Sequence, residues 1–321
     1  MFTPRLTKNP PFAITRASHI RLSVRDLDTS LHFYQEVVGL VISDLDKDIA
    51  YLRGVEEDSH HSLVLTHHQA QSKCEALGFR VRDEDAFDQA CSYFKSQGIA
   101  FQPVDLPYQG KTLRLRDPQG IRLELCASMP IKPRLHNKTS LHKGGAGLRF
   151  DHTQVQISDL QASYDFFTSL GFMTSDYALS PGGELVSAFL HRKDNPHDLV
   201  FGSNIGPRLH HFAYITEKQN LLRAGDTASS IGLGKCVEFG PSRHGQDHAS
   251  FIYMRDPDGH RVELLSHPIQ IIDLDSLPIG RKIADREQFL SWGASPPRPY
   301  LMEATEFDDE PLREPLVVRT W

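Results

Sequence analysis

One pattern occurs twice in the chain, and it constrains the fold more than any other feature of the sequence. SHIRLSVRDLDTSLHFYQEVVGL (Ser18–Leu40) and FDHTQVQISDLQASYDFFTSLGF (Phe150–Phe172) each read as a strand, a turn and an amphipathic helix. They place His19 and His152 at matching positions on the opening strand. Each copy is closed by a second matched segment. LRLRDPQGIRLEL carries Glu124, and IYMRDPDGHRVELLSHP carries Glu263 at the same place. A histidine on an opening strand and a glutamate on a closing strand, used twice, imply a duplicated scaffold that once held a metal in each half.

Between these landmarks each half divides again. The first unit runs from HIRLSV through a helix whose start offers Asp28, Thr29 or Ser30 as cap and whose stop is Gly39. The strands GLVISDLD, IAYLRG and HSLVLTHH follow it. A second unit begins at ALGFRVRD. Its helix is DEDAFDQACSYFKSQG, with Asp83 or Asp85 as cap, and its strands are IAFQPVD, KTLRLRD and IRLELC. The third unit spans Leu148 to Phe201, and the fourth begins at Arg208 with LHHFAYI. A βαβββ unit leaves one sheet face uncovered, so paired units make a curved mixed sheet with a concave, cup-like interior lined by alternate strand residues. The expected fold is α+β, with two domains of paired βαβββ modules. Residues 1–15 form an arm, 16–130 the first pair, 131–147 a basic, Gly-rich linker, 148–266 the second pair and 267–321 a tail. The aromatic and aliphatic anchors Phe289, Leu290, Trp292, Tyr300 and Trp321 imply a tail packed on the body, over a cleft or at a subunit interface.

Composition sets the setting. The net charge of −6 argues against nucleic acid as the main partner. No apolar run reaches the length of a membrane span, and MFTPRLTKNPPF lacks the pattern of a secretory signal. Cys74, Cys91, Cys126 and Cys236 show no CxxC pairing and read as reduced, buried thiols of a cytoplasmic protein.

A mononuclear metal site of the two-histidine, one-carboxylate kind needs three ligands on one face, with the other positions open. In the second half His152 and Glu263 supply two. The third lies in LHHFAYI, where His210 and His211 are adjacent. Strand alternation turns only one of them into the cup. In the first half the matching segment ALGFRVR has no histidine, with Gly78 about where His211 lies. Metal binding is therefore expected in the C-terminal half alone. His60, His61, His67 and His68 read as a solvated edge, and His260 as a surface or hydrogen-bonding residue.

HDLVFGSNIGPRLHHFAYI and SRHGQDHASFIYMRDPDGHRVEL, in that order and spacing, resemble blocks of the type I extradiol ring-cleavage dioxygenases of the vicinal-oxygen-chelate superfamily. The likeness runs from about residue 17 into the tail around SWGASPP. It is nearest to the catechol 2,3-dioxygenase and homoprotocatechuate 2,3-dioxygenase branch. The resemblance implies a glyoxalase-like fold and a site built from His152, His211 and Glu263 as metal ligands. It implies Fe(II), with Mn(II) as the other option, and a homo-oligomer, dimer or tetramer. His197 matches an acid–base histidine, His244 a histidine on the substrate side, and Tyr253 a tyrosine that hydrogen-bonds the catecholate. Gln154, His248, Phe289, Leu290 and Trp292 are the candidates for the substrate pocket. The implied reaction is extradiol (meta) opening of a catechol by dioxygen, giving a 2-hydroxymuconic-semialdehyde-type product in aromatic catabolism.

The tail departs from the family pattern. Homoprotocatechuate enzymes carry an arginine pair before a Trp-Gly to grip a carboxylate. Here Gln288 and Phe289 stand there, ahead of Trp292-Gly293, which favours a neutral, more apolar catechol unless Arg281 or Lys282 substitutes. Two rival functions are a glyoxalase-type isomerase or thiol transferase, and a metal-free ligand-binding protein of the bleomycin-resistance type. The triad inside one half, with His197, His244 and Tyr253, counts against the first. The fused four-unit chain with its ligands intact counts against the second.

Overall fold

The computed structural model describes residues 2–5, 9–273, 275–282 and 285–318, so Trp321 lies outside the described residues. The first half contains β1 (Ile14–Val24), α1 (Leu27–Phe33) continued by a π-helical turn over Tyr34–Val38, β2 (Val41–Leu45), β3 (Ile49–Arg53) and β4 (Leu63–His67). Its second unit is β5 (Cys74–Val81), α2 (Glu84–Ser96), β6 (Phe101–Val104), β7 (Thr112–Arg116) and β8 (Arg122–Cys126). The second half repeats the plan. It has β9 (Arg149–Ile157), α3 (Leu160–Ser169), β10 (Met173–Leu179), β11 (Leu185–His191) and β12 (Leu199–Ser203), then β13 (Arg208–Ile215), α4 (Asn220–Ser230), β14 (Val237–His244), β15 (Ser250–Arg255) and β16 (Arg261–Leu265). The tail adds β17 (Ile279–Lys282), β18 (Leu290–Trp292), α5 (Arg298–Met302) and β19 (Thr305–Glu306).

The strand orders repeat as the sequence does. The first sheet runs β2-β3-β4-β1-β5-β8-β7-β6, and the core of the second runs β10-β11-β12-β9-β13-β16-β15-β14. In each, the two units join at their opening strands, antiparallel, through β1–β5 and β9–β13. The closing strand of each half, β8 or β16, lies parallel beside the opening strand of its second unit. Histidine and glutamate thus come from strands one apart, with only β5 or β13 between them.

The helix starts are set locally. Asp26 caps α1 by accepting a hydrogen bond from the Thr29 amide, in place of the expected Asp28, Thr29 or Ser30, because the chain is still extended at residue 26. Asp83 and Asp159 cap α2 and α3 in the same way. Gly39 ends the first helix in the left-handed region, where a Cβ would stand 2.2 Å from the Lys143 carbonyl oxygen. The helices bury their apolar faces in one core shared by both halves. Phe79 on β5 meets Phe167 and Phe172 at centroid distances of 5.9 and 5.5 Å, and Tyr34 reaches Asp256 with a 2.8 Å hydrogen bond. Burying each such ring contributes about 1.5–3 kcal/mol.

The tail is an integral part of the second sheet. β17 pairs parallel with β10, β18 pairs antiparallel with β14, and β19 pairs with β13. Both free edges of the C-terminal sheet are therefore covered, as edge strands need to be. Arg281 joins the two edges. Its guanidinium pairs with Asp176 of β10 and donates to the carbonyls of Gln246 (3.3 Å) and Gln288 (3.5 Å).

Candidate metal centre and substrate cavity

His152, His211 and Glu263 lie on the neighbouring strands β9, β13 and β16, all buried. The Nε2 atoms of the two histidines are 3.1 Å apart. Glu263 Oε2 is 3.4 Å from His152 Nε2 and 3.3 Å from His211 Nε2. An ion bonded to nitrogen and oxygen at about 2.1 Å fits a triangle of this size. The donor chemistry fits too. His152 Nδ1 is 2.7 Å from Asp151 Oδ2, and a carboxylate only accepts, so the neutral ring keeps a lone pair on Nε2. Glu263 Oε2 accepts no hydrogen bond, although it is buried, while Oε1 takes one from His244 Nε2 at 2.9 Å. A buried, unpartnered carboxylate oxygen facing imidazole lone pairs suits a cation. Burial pushes the Glu263 carboxyl up, but His152, His211 and His244 hold it well below the usual range. A second cluster, Asp151, His152 and His197, is also close enough to share an ion. Its Asp151 is already engaged, by His152 and by the Asn195 amide, so the first triangle is the better site.

The first half has no such opening. His19 Nε2 lies 3.0 Å from Glu124 Oε2, which also receives Gln109 at 3.2 Å. Arg114 takes the other oxygen with Nε at 3.0 Å and Nη2 at 2.6 Å. Strand register corrects one detail of the sequence comparison. Gly78 faces Glu124 as Ala213 faces Glu263, and Ala76 pairs with Arg21 as His211 pairs with Gln154. The place of His211 is therefore held by Ala76. Gly78 has another duty, since a Cβ there would stand 2.1 Å from the His19 ring. His60 and His61 do not form a solvated edge. They are 1% and 0% exposed, with Nδ1 atoms 3.1 Å apart, and His60 stacks on Tyr108 at 3.9 Å. Glu57 accepts from the Gly54 amide and the Ser62 hydroxyl, which turns their loop inward. His67 and His68 are exposed, and His260 is a buried hydrogen-bonding residue.

A cleft of roughly 900 Å³, counting its part open to solvent, adjoins the C-terminal triangle. His197, in the loop before β12, sets its ring edge-on to His152 at 4.3 Å. Asn195 ties that loop to Asp151, the residue that orients His152. Burial drives the His197 pKa well below the ordinary value, and its Nδ1 is buried without a partner. His244, at the end of β14, also lies 3.3 Å from the Tyr253 hydroxyl. Tyr253 on β15 is directly opposite Glu263, and burial pushes its phenol well above the usual range.

Of the residues singled out for substrate, Gln154, Phe289 and Leu290 line the cleft. Trp292, 51% exposed, and His248, exposed beside Arg243 (2.5 Å), lie outside the lining. Phe189, Phe239 and Gln246 join the lining without having been anticipated there, and Tyr300, expected only as a packing anchor of the tail, joins them. So does His210. Strand alternation would turn it away, but a register shift between Leu209 and His211 breaks the alternation and brings both rings to the cleft. Among the described lining residues there is no lysine or arginine.

Residues 16–125 and 149–264 both match the model of the Glyoxalase/Bleomycin resistance protein/Dioxygenase superfamily, and the chain belongs to that superfamily. Within it the full-length likeness is to dioxygenases. The chain is 29% identical to the metapyrocatechase of Pseudomonas sp. (strain CF600), covering 78% of this chain and 85% of that one. It is 27% identical to the manganese-dependent 2,3-dihydroxybiphenyl 1,2-dioxygenase of Geobacillus genomosp. 3, covering 87% and 93%. A solved extradiol ring-cleaving dioxygenase from B. fuscum superposes with a TM-score of 0.92 at 30% identity, covering 99% of this chain and 91% of that one. The protein is an enzyme of the extradiol dioxygenase class.

Proposed function

We propose that this enzyme opens the ring of a neutral, largely apolar catechol beside its hydroxyls, using dioxygen at a mononuclear iron(II) site held by His152, His211 and Glu263. Manganese(II) is the other metal the donor set accepts. The observation that carries the reading is the orphaned Glu263 Oε2 facing two imidazole nitrogens at one end of the cleft. Iron at these atoms would bind the catechol oxygens, favour their deprotonation, and pass electron density between ring and dioxygen.

The protein's own groups handle protons and orientation. Tyr253 donates a hydrogen bond to a substrate oxygen, as its high phenol pKa keeps it protonated. His244 bridges Tyr253 and Glu263 and takes part on the substrate side. His197, buried and neutral, can accept a proton from the catechol and return it to an oxygen as the O–O bond breaks. Both oxygen atoms enter the 2-hydroxymuconic-semialdehyde-type product, so no outside reductant is needed. Phe189, Phe239, Phe289 and Leu290 exclude water and present an apolar wall. The lack of a cation in the described lining, with Arg281 committed to Asp176, supports a substrate without a carboxylate. Gln154 lines the cleft, while His248 and Trp292 lie outside its lining.

The reading extends to setting and assembly. Four free cysteines support a cytoplasmic enzyme, and among the described residues no helix is long and apolar enough to cross a membrane. Exposed Ile131, Ile272 and Leu277 offer apolar surface that a homo-oligomer would cover. The test is anaerobic loading with Fe(II), followed by a panel of catechols and dioxygen. Dioxygen uptake with a yellow product is expected. An iron-loaded sample that consumes no dioxygen with any catechol would overturn the proposal.

A further inference from the structure

Tyr300 on α5 brings the C-terminal tail against the His210–His211 side of the metal centre. Its ring meets those of His210 (4.7 Å, 88°), Tyr253 (4.9 Å) and Phe239 (5.0 Å), and the Arg261 guanidinium lies 4.8 Å from its centre. Its backbone carbonyl oxygen is 2.8 Å from His210 Nε2. On the other side of that imidazole, His210 Nδ1 is 2.7 Å from His211 Nδ1.

These two contacts leave only one arrangement of protons. A carbonyl oxygen accepts and never donates, so the proton of the neutral His210 ring is on Nε2. His210 Nδ1 is then a lone pair, and the proton of the second contact belongs to His211 Nδ1. That leaves the His211 Nε2 lone pair aimed at His152 Nε2 and Glu263 Oε2. The two histidines of the triangle are therefore oriented differently. His152 leans on the anionic carboxylate of Asp151, a strong acceptor. His211 leans on a neutral imidazole whose own orientation depends on a carbonyl of the tail.

We propose that His210 and the Tyr300 carbonyl form a positioning relay that fixes the tautomer and orientation of His211, so that docking of the tail sets the strength of divalent-metal binding. The inference rests on the metal reading of the triangle. It gives a reason for the bulge at His210, and it makes His211 the ligand whose hold depends on the tail. Outer-shell partners of a metal-bound histidine typically change metal affinity by about 10- to 100-fold.

The experiment is an anaerobic titration of the full-length metal-free protein with Mn(II), following the free-ion paramagnetic resonance signal against a competing chelator. His210→Phe removes both contacts and should weaken Mn(II) binding by about 10-fold or more. His210→Gln keeps one acceptor and one donor and should stay within a few-fold of the parent. Tyr300→Ala loosens α5 and should fall between them. Metal-free melting temperatures close to the parent separate this loss from a folding defect. Parent-like Mn(II) affinity in a folded His210→Phe protein would overturn the relay. If that variant does not fold, Tyr300→Ala decides, and unchanged affinity there overturns it. A parent protein that binds neither Mn(II) nor Fe(II) would instead bring down the metal reading itself, a distinct outcome.

Discussion

Two cups built on one repeat carry the same histidine and glutamate and reach opposite ends. In the C-terminal cup Glu263 keeps one oxygen free toward two imidazoles. In the N-terminal cup Glu124 has none free, because Arg114, Gln109 and His19 take both. Strand register reduces the contrast to three places. Arg114 stands opposite Glu124 where Tyr253 stands opposite Glu263, and the pair Arg21 and Ala76 occupies the places of Gln154 and His211. A buried carboxylate needs a positive partner in either case. A guanidinium supplies it permanently and closes the cup. A tyrosine and a histidine leave the charge to an exchangeable ion and keep room for substrate. Burial pushes the Glu124 carboxyl up, but His19, Arg21 and Arg114 hold it far below its ordinary range, as expected of a closed ion cluster.

The contrast is broken most sharply by moving the arginine. Tyr253→Arg should place a guanidinium on Glu263 as Arg114 sits on Glu124. Metal retention and ring cleavage should both disappear, while the metal-free protein melts near the parent temperature. Metal analysis with dioxygen uptake checks this, and a variant that still holds one metal per chain would mean that register does not carry the difference.

A smaller effect is expected at the cleft wall. Phe289→Arg puts a cation where the lining has none. Preference should move about tenfold, or roughly 1.4 kcal/mol, toward 3,4-dihydroxyphenylacetate over a 3-alkyl catechol in kcat/KM. A parent enzyme that already favours the carboxylated substrate strongly would contradict the neutral-substrate reading.

The smallest expected effect concerns acid stability of the N-terminal cup. Burial, with Lys132 nearby, lowers His60 from 6.5 to about 4, and burial drives His61 well below its ordinary value. Both rings are neutral in the folded state and take up protons more readily when unfolded. Their contribution is therefore complete above pH 6.5 and is lost as pH falls toward about 4. Melting temperature of the metal-free protein should drop over that window, and His61→Gln should flatten the drop by a few degrees. Parallel curves for parent and variant would show that these rings are not the source.

The duplication, the module order and the candidate positions His152 and Glu263 were legible because they depend on local periodicity and on motifs repeated in one chain, whereas the choice of His211 over His210 came from the family resemblance alone. Other features depend on register or on distant pairing. The bulge at Leu209–His211 brings His210 to the cleft, and nothing in LHHFAYI marks it. Arg114 reads as an ordinary strand arginine until β7 is paired with β8. Ala76 was missed, and Gly78 chosen in its place, because two alternative alignments of ALGFRVR differ by two residues. The tail strands are short, and their partners β10 and β14 lie far back in the chain. His60 and His61 were read as a solvated edge because they lie in the first repeat, away from the complete triad, whereas hydrogen bonds to Glu57 fold their loop inward.

The most direct test of the difference between the cups is the metal content of three proteins purified anaerobically in Fe(II): the parent, Glu263→Gln and Glu124→Gln. The account predicts one metal per chain in the parent, none in Glu263→Gln, and one in Glu124→Gln, whatever that last change does to stability. Two metals per chain in the parent, or loss of metal on changing Glu124 in a folded protein, would contradict it.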